Sequence, residues 1–558
     1  MKLPKIFYCL VFILTTACQP AQQYQVIIRN GIIYDGSGGE PYISDIGINA
    51  DTLAFIGDLV KAKGETEVDA TGLAVSPGFI NMLSWATESL LADGRSQSNI
   101  RQGVTLEVMG EGSSMGPLNP AMKKQMEQGQ GNIRFDVAWT TLGEYLSHLE
   151  KKGVSSNVAS FLGAGTVRTY VVGEEDRPAT AEELDSMRVL VQIAMKEGAL
   201  GIGTSLIYPP DFFASTEELI ALCREAARFG GTYISHIRSE GTGLFKAVQE
   251  LITIAREAEI HAEIYHLKAA GKDNWPKLDS LISVIETARA EGLDITADMY
   301  TYTAAGTGLT ACFPPSMQDG GFGKLWERLR DPASRSRLKK MMVVNSTEWE
   351  NFYYHAGPDQ ILLNEFRQDS LKKFTGKTLS EVAAIRGASP EETVMDLIYQ
   401  DSSKIPSAYY LMSEENIRKQ IVIPWVSFGS DEGSYTNEGM FLEFNVHPRA
   451  YGNFARVLGR YVGDEKLLTL QSAVHKLTKL PATNLRIKNR GELKVGYFAD
   501  IAVFDPSRVQ DFATFEDPHR YSVGVEHVFV NGVQVLKDGE HTGAMPGRFV
   551  KGPGSKIF

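Results

Sequence analysis

The chain has 558 residues, 43 % of them apolar and 22 % charged, with a formal net charge of −12. This composition is globular and excludes a disordered chain or a disulfide scaffold. The acidic balance carries no basic nucleic-acid footprint, and no apolar run approaches the roughly 18 residues of a membrane span.

At the N-terminus, Lys2 and Lys5 precede the apolar stretch from Ile6 to Leu14, and Thr15-Thr16-Ala17-Cys18 follows. A basic start, a short apolar core and small residues describe a secretory signal. The small residues ending on Cys18 resemble a bacterial lipobox, although Thr15 stands where Leu is commoner. The expectation is cleavage before Cys18 and a lipid anchor on its thiol. That places the protein facing the periplasm or in the outer membrane of a bacterium. A plain signal peptide is the alternative. Cys9 and Cys18 then belong to export, which leaves Cys223 and Cys312 as separate thiols.

From Tyr24 to about Ser76, short apolar runs are punctuated by glycine and read as strands. The stretch from about Arg486 has the same texture, with Asn531-Gly532 as a hairpin turn. These ends predict one small β-sandwich built from residues 24–76 and 486–558. Between them, runs at 78–83, 104–109, 158–162, 200–206, 232–236, 262–266, 295–300 and 425–428 alternate mostly with helical patterns. Strand–helix alternation of that count predicts an α/β fold with a (β/α)8 TIM barrel over residues 77–485. A doubly wound sheet is the alternative, but no GxGxxG turn follows an early strand. The charged, helix-rich stretch from about Cys312 to Met412 is too long for a loop and reads as an inserted subdomain.

In such a barrel the reactive groups sit at the C-terminal ends of the strands. Two runs end in His236 and His266, with Lys268 close behind; others end in Glu111 and Asp431. Two imidazoles and a carboxylate can converge on one divalent ion and leave a second carboxylate free as a base. A lone strand-end histidine is commonly structural, so spacing by itself leaves both readings open.

The motifs decide more. Pro77-Gly78-Phe79-Ile80, Gly201-Ile202-Gly203-Thr204-Ser205-Leu206-Ile207-Tyr208-Pro209-Pro210, Ser235-His236-Ile237-Arg238 and His266-Leu267-Lys268-Ala269-Ala270-Gly271 stand in order along the barrel. Gly429-Ser430-Asp431, His447-Pro448-Arg449-Ala450-Tyr451-Gly452 and the closing Gly491 to Asp500 segment complete the set. From Val26 to Gly552 the chain resembles the D-aminoacylase (N-acyl-D-amino-acid deacylase) branch of the amidohydrolase superfamily. The resemblance implies that His236 and His266 hold a zinc ion and that Asp431 is the catalytic aspartate. It further implies that Lys268 and Arg449 lie near the substrate carboxylate and that Tyr208 lines the pocket. Each has a plainer alternative: Lys268 pairing with a nearby acid, Arg449 capping a helix, Tyr208 walling a loop.

The departures are also informative. Where the superfamily places His-x-His for a second metal, this chain has Leu83-Ser84-Trp85, and neither Leu nor Trp ligates zinc. The family's bridging Cys falls on Gly112. Its neighbour Glu111 is the expected stand-in, although adjacent strand residues point to opposite faces. A glycine-His-glycine of the family reads Gly163-Ala164-Gly165, a pocket serine falls near Gly306, and Tyr435 to Glu438 reads as an insertion. These changes remove a second metal and leave what a one-zinc site requires: Glu111, His236, His266 and Asp431. The expected function is hydrolysis of the amide of an N-acyl-D-amino acid or a similar small-molecule amide by zinc-activated water, with Asp431 moving the proton. A cyclic-amide or dipeptide hydrolase on the same site, or a non-catalytic binding protein on the scaffold, are the alternatives.

Overall fold

The structure, a computed structural model, describes residues 22–556. The segment expected to be an export signal, including Cys9 and Cys18, lies outside the described residues. Among the described residues no helix is long and apolar enough to cross a membrane.

Both ends of the chain build one β-rich unit. It starts with β1 (Gln23–Ile33), β2 (Tyr42–Asn49), β3 (Thr52–Gly57), β4 (Lys63–Asp69) and β5 (Ala74–Pro77). Strand β1 pairs antiparallel with β2 and is long enough to serve two more partners in parallel, β4 over its first half and β5 at Ile32 and Ile33. The inward alternation Val26, Ile28 meets Ile46 and Ile48 of β2 and the later residues Ile501 and Val503 in one apolar cluster.

The barrel strands follow: β6 (Phe79–Asn81), β7 (Val104–Met109), β8 (Asn157–Ser160), β9 (Leu162–Gly163), β10 (Gly201–Ser205), β11 (Thr232–His236), β12 (Ala262–Ile264) and β13 (Ile295–Met299). They are buried on both faces, as strands wrapped by helices must be. The helices between them bury stripes at three- and four-residue spacings; Leu244–Ala258 buries Leu244, Ala247, Val248, Leu251, Ile252, Ala255 and Ala258.

After β13 the chain leaves the barrel. Strands β14 (Ala304–Gly308), β15 (Ile361–Leu363) and β16 (Pro406–Tyr410) form a separate antiparallel sheet. Its residues belong to an apolar cluster of their own around Leu309, Phe352, Tyr409 and Leu411. The inserted subdomain therefore begins at Ala304 rather than at Cys312, because β14 is the direct antiparallel partner of β16. The charge and helix formers that marked the insertion in sequence start only after this strand.

Strand β17 (Val426–Phe428) returns to the barrel beside β13. The barrel closes by hydrogen bonds at two seams. Phe161 N donates to Met109 O at 2.8 Å and Leu200 N to Ser160 O at 3.0 Å; across the other seam Met82 N donates to Phe428 O at 3.2 Å and Asp431 N to Leu83 O at 2.8 Å.

The last strands, β18 (Ile501–Phe504), β19 (Val525–Val530), β20 (Val533–Lys537) and β21 (Glu540–His541), complete a nine-stranded hydrogen-bonded sheet with β1–β5. Beyond it the chain turns back under the barrel, where Val158 N donates to Arg548 O at 3.0 Å and Gly552 N to Gly198 O at 2.9 Å. Residues 548–552 thus brace the barrel floor instead of extending the β-rich unit. Cys223 and Cys312 are both buried and unpaired.

Candidate active site

Three strand ends bring Glu111, His236 and His266 together. His236 is the last residue of β11. His266 lies just past β12 with φ +35°, its amide donating to Asp298 Oδ1 at 2.9 Å. Glu111 follows β7, and the alternation argument against it fails because the strand has already ended: Gly110 turns the chain at φ +104°, packed against the Phe161 carbonyl with no room for a side chain. Gly112 sits at φ +65°, and a Cβ there would lie 2.5 Å from Ser205 Cβ and 2.6 Å from Asp211 Oδ2. The local backbone thus accommodates a ligand at Glu111 and none at Gly112.

Glu111 Oε1 receives both imidazoles, at 3.1 Å from His236 Nδ1 and 3.0 Å from His266 Nε2. All three residues are buried, and one ligand atom from each lies within 4.8 Å of the others. His236 Nε2 is buried with no hydrogen-bond partner. Burial opposes charge on Glu111, but hydrogen bonds from both imidazoles outweigh it and hold the carboxyl well below its usual range. One carboxylate and two imidazoles form a donor set suited to a divalent ion such as zinc, with His236 Nδ1 and His266 Nε2 both turned to the Glu111 carboxylate.

Asp431 faces this cluster from the loop after β17. It holds φ +52°, a left-handed conformation uncommon for a non-glycine residue. Its Oδ2 lies 2.9 Å from Arg449 and its Oδ1 accepts a hydrogen bond from Trp85 Nε1 at 3.1 Å. Burial raises the Asp431 carboxyl, partly offset by the Arg449 cation.

Lys268, Arg449 and Tyr208 line the same cavity of about 790 Å³, within the usual range of small-molecule sites. Arg449 is fully buried, stacks 4.4 Å over the Tyr300 ring and keeps Nε and Nη1 without partners. The Tyr300 hydroxyl is likewise buried and unpartnered. Tyr208 donates its hydroxyl to Thr307 at 2.7 Å and sets its ring edge-on to His236. Lys268 also realises its plainer alternative: Nζ lies 2.5 Å from Glu240 Oε1 and 2.6 Å from His266 Nδ1.

Glu240 and Tyr300 also belong to the site. Glu240 sits 3.0 Å from His266 Nδ1 and orients that imidazole from behind. Burial opposes ionisation of Glu240, but the Lys268 cation and the two imidazoles prevail and hold its carboxyl low. The inserted subdomain helps position it: Glu350 accepts Ser239 Oγ at 2.6 Å and the amides of Glu240 and Gly241 at 3.1 and 3.2 Å. Glu240's four-residue offset from His236 and Tyr300's place at the end of an apolar run were the available signals.

An amidohydrolase-family profile matches residues 367–536. A D-aminoacylase of Alcaligenes xylosoxydans xylosoxydans is 33 % identical over 532 residues, covering 95 % of this chain and 98 % of its own. This chain belongs to the D-aminoacylase branch of the amidohydrolases. It is a hydrolase acting on amide bonds. A solved D-aminoacylase, studied for one-metal activation and second-metal attenuation of its binuclear centre, superposes with a TM-score of 0.78 at 31 % identity, covering 95 % of this chain and all of its own. N-acyl-D-glutamate deacylase of Bordetella bronchiseptica, solved with zinc and a phosphonate mimic of the tetrahedral intermediate, gives 0.77 at 27 % identity over 95 % of this chain and 100 % of its own. The barrel with its β-rich unit is thus the family's architecture.

Proposed function

We propose that this protein is an exported, zinc-dependent deacylase of N-acyl-D-amino acids. The observation that carries the substrate class is a set of unspent donors beside the metal cluster. Arg449 Nε and Nη1 and the Tyr300 hydroxyl are buried, unpartnered and set against one another at the cavity wall. Buried donors left unpaired cost about 1–3 kcal/mol each, so an anionic group of the substrate is their fitting partner. The carboxylate of an amino acid supplies it, and places the neighbouring amide toward Glu111 and Asp431. The relatives named above act on N-acyl-D-amino acids, which sets the expected hand.

Glu111, His236 and His266 would hold the zinc, which when bound supplies an acidified water and a polarised acyl carbonyl. Asp431 takes the proton of the attacking water on one carboxylate oxygen and returns it to the departing amine. Arg449 keeps Asp431 in place through Oδ2, while Tyr300 and the free edge of Arg449 orient the substrate. Lys268, already paired with Glu240, adds positive potential and not a free grip. Export and lipidation at Cys18 rest on the N-terminal pattern; membrane-fraction mass spectrometry showing an unlipidated, uncleaved chain would overturn them.

A second reading has an observation of its own. Glu88, Glu365 and Glu432 line the same cavity with no salt-bridge partner among the described residues. Burial raises all three carboxyls, that of Glu365 to about 7. An acyl half bearing an ammonium, as in a dipeptide, would suit that wall. A panel of N-acetyl-D-amino acids, their L-counterparts and dipeptides with a C-terminal D-residue tests both. Release of free D-amino acid is expected; equal rates on both hands would overturn the D-specific reading.

A further inference from the structure

Trp85 stands where the barrel wall meets the metal cluster. Its backbone is fixed at the closing seam, with Trp85 N donating to Glu432 O at 3.0 Å and the preceding Ser84 N to Val108 O at 2.8 Å. From there its single indole N–H reaches two carboxylates on different loops, Glu111 Oε2 at 3.1 Å and Asp431 Oδ1 at 3.1 Å. The ring is 38 % exposed and forms part of the cavity wall.

Two carboxylates held this close repel one another unless positive charge stands between them. A cation is the obvious occupant, yet the position is taken by a neutral donor. The difference has a chemical consequence. A bound dication would draw on the Asp431 lone pairs and depress its basicity, because a metal is the largest local charge in any site. An indole N–H is weaker and directional: it fixes the oxygen in place and leaves the carboxylate able to accept a proton.

We propose that Trp85 is a positioning residue whose indole N–H stands where a second cation would, tying Asp431 to Glu111, and whose ring offers no metal-ligating nitrogen, so that the centre holds one divalent ion. The inference rests on the one-zinc reading above and adds the device that enforces it. The phenyl ring of Trp85→Phe keeps much of the wall but loses the bridge, whereas Trp85→His puts a metal-ligating nitrogen in the bridging place.

The full chain, stripped of metal, is titrated with Co²⁺ alone by calorimetry and visible absorption. The wild type is expected to bind one Co²⁺ at this site and to stay at one in excess metal. Trp85→His is expected to take up a second, weaker ion. Trp85→Phe is expected to bind one, to melt as the wild type does, and to lose at least about tenfold in kcat with KM nearly unchanged. Two ions in the wild type, one in Trp85→His, or wild-type kcat in Trp85→Phe would each overturn the inference. No ion in the wild type would instead overturn the zinc reading beneath it.

Discussion

Arg449 and Asp431 form a buried ion pair, guanidinium nitrogen to Oδ2 at 2.9 Å, beside the Glu111–His236–His266 cluster. The carboxylate proposed to move the proton is fixed at both oxygens, one by Arg449 and one by Trp85. Asp431→Asn keeps the shape, but its single amide oxygen can accept from only one of the two donors and offers no basic site to receive a proton. It should retain its metal, measured by elemental analysis, and lose at least about 100-fold in turnover. Near-native turnover would remove Asp431 from the proton path.

The same pair predicts a division at Arg449. Arg449→Lys keeps a charge beside Asp431 but forfeits the planar fork, whose Nε and Nη1 are buried and unpartnered. The expected result is a rise in KM of at least about tenfold for carboxylate-bearing substrates, with much less effect on an uncharged amide analogue. An equal effect on both would show that the fork does not bind the carboxylate.

Gly112 is the position at which relatives would be expected to carry their sulfur ligand. Here a Cβ has no room, with Ser205 and Asp211 atoms within 2.7 Å of it, and φ is +65°. Gly112→Ala should destabilise the fold by at least about 2 kcal/mol, from left-handed strain plus overpacking, and should lower metal content by displacing Glu111. Thermal melting and elemental analysis check both. An unperturbed Gly112→Ala would contradict the account of why the carboxylate took over.

Asp211 gives a pH dependence with a definite sign. Burial is the main cause of its shift, reinforced by Glu218, and its carboxyl is pushed from 3.8 up to about 7. The folded chain therefore keeps a proton that the unfolded chain releases near pH 4. This group's destabilisation is absent below about pH 4, grows as pH rises toward 7 and is complete above it. Asp211→Asn removes the term, so its melting temperature should exceed that of the wild type at pH 8.5 and lose the advantage at pH 4. A wild type that is the more stable at pH 8.5 would contradict the buried neutral acid.

Much of this was legible in the sequence because parallel barrel strands announce themselves as short apolar runs and place their functional groups at the ends. His236, His266, Glu111 and Asp431 all surfaced by that rule. Glu240 did not, because it comes from a loop whose path is set by Glu350 in the insertion, far along the chain. Trp85 was visible only as a residue unable to ligate zinc; that its N–H bridges two carboxylates depends on the seam between the first and last strands. The start of the insertion was hidden for a related reason. Strand β14 is a run of Ala, Gly and Thr whose partner lies about a hundred residues later, and a small-residue strand with a distant partner gives no periodic signal.

The proposed metal centre has one carboxylate and two imidazoles in place of a sulfur ligand. Zinc K-edge X-ray absorption on the zinc-loaded, full-length protein tests it most directly. The account predicts zinc surrounded by nitrogen and oxygen donors at about 2.0–2.2 Å, with imidazole scattering from two rings and no sulfur. The same measurement on Glu111→Gln should show the site depleted of zinc. A sulfur shell near 2.3 Å, or an unchanged zinc spectrum and content in Glu111→Gln, would contradict it.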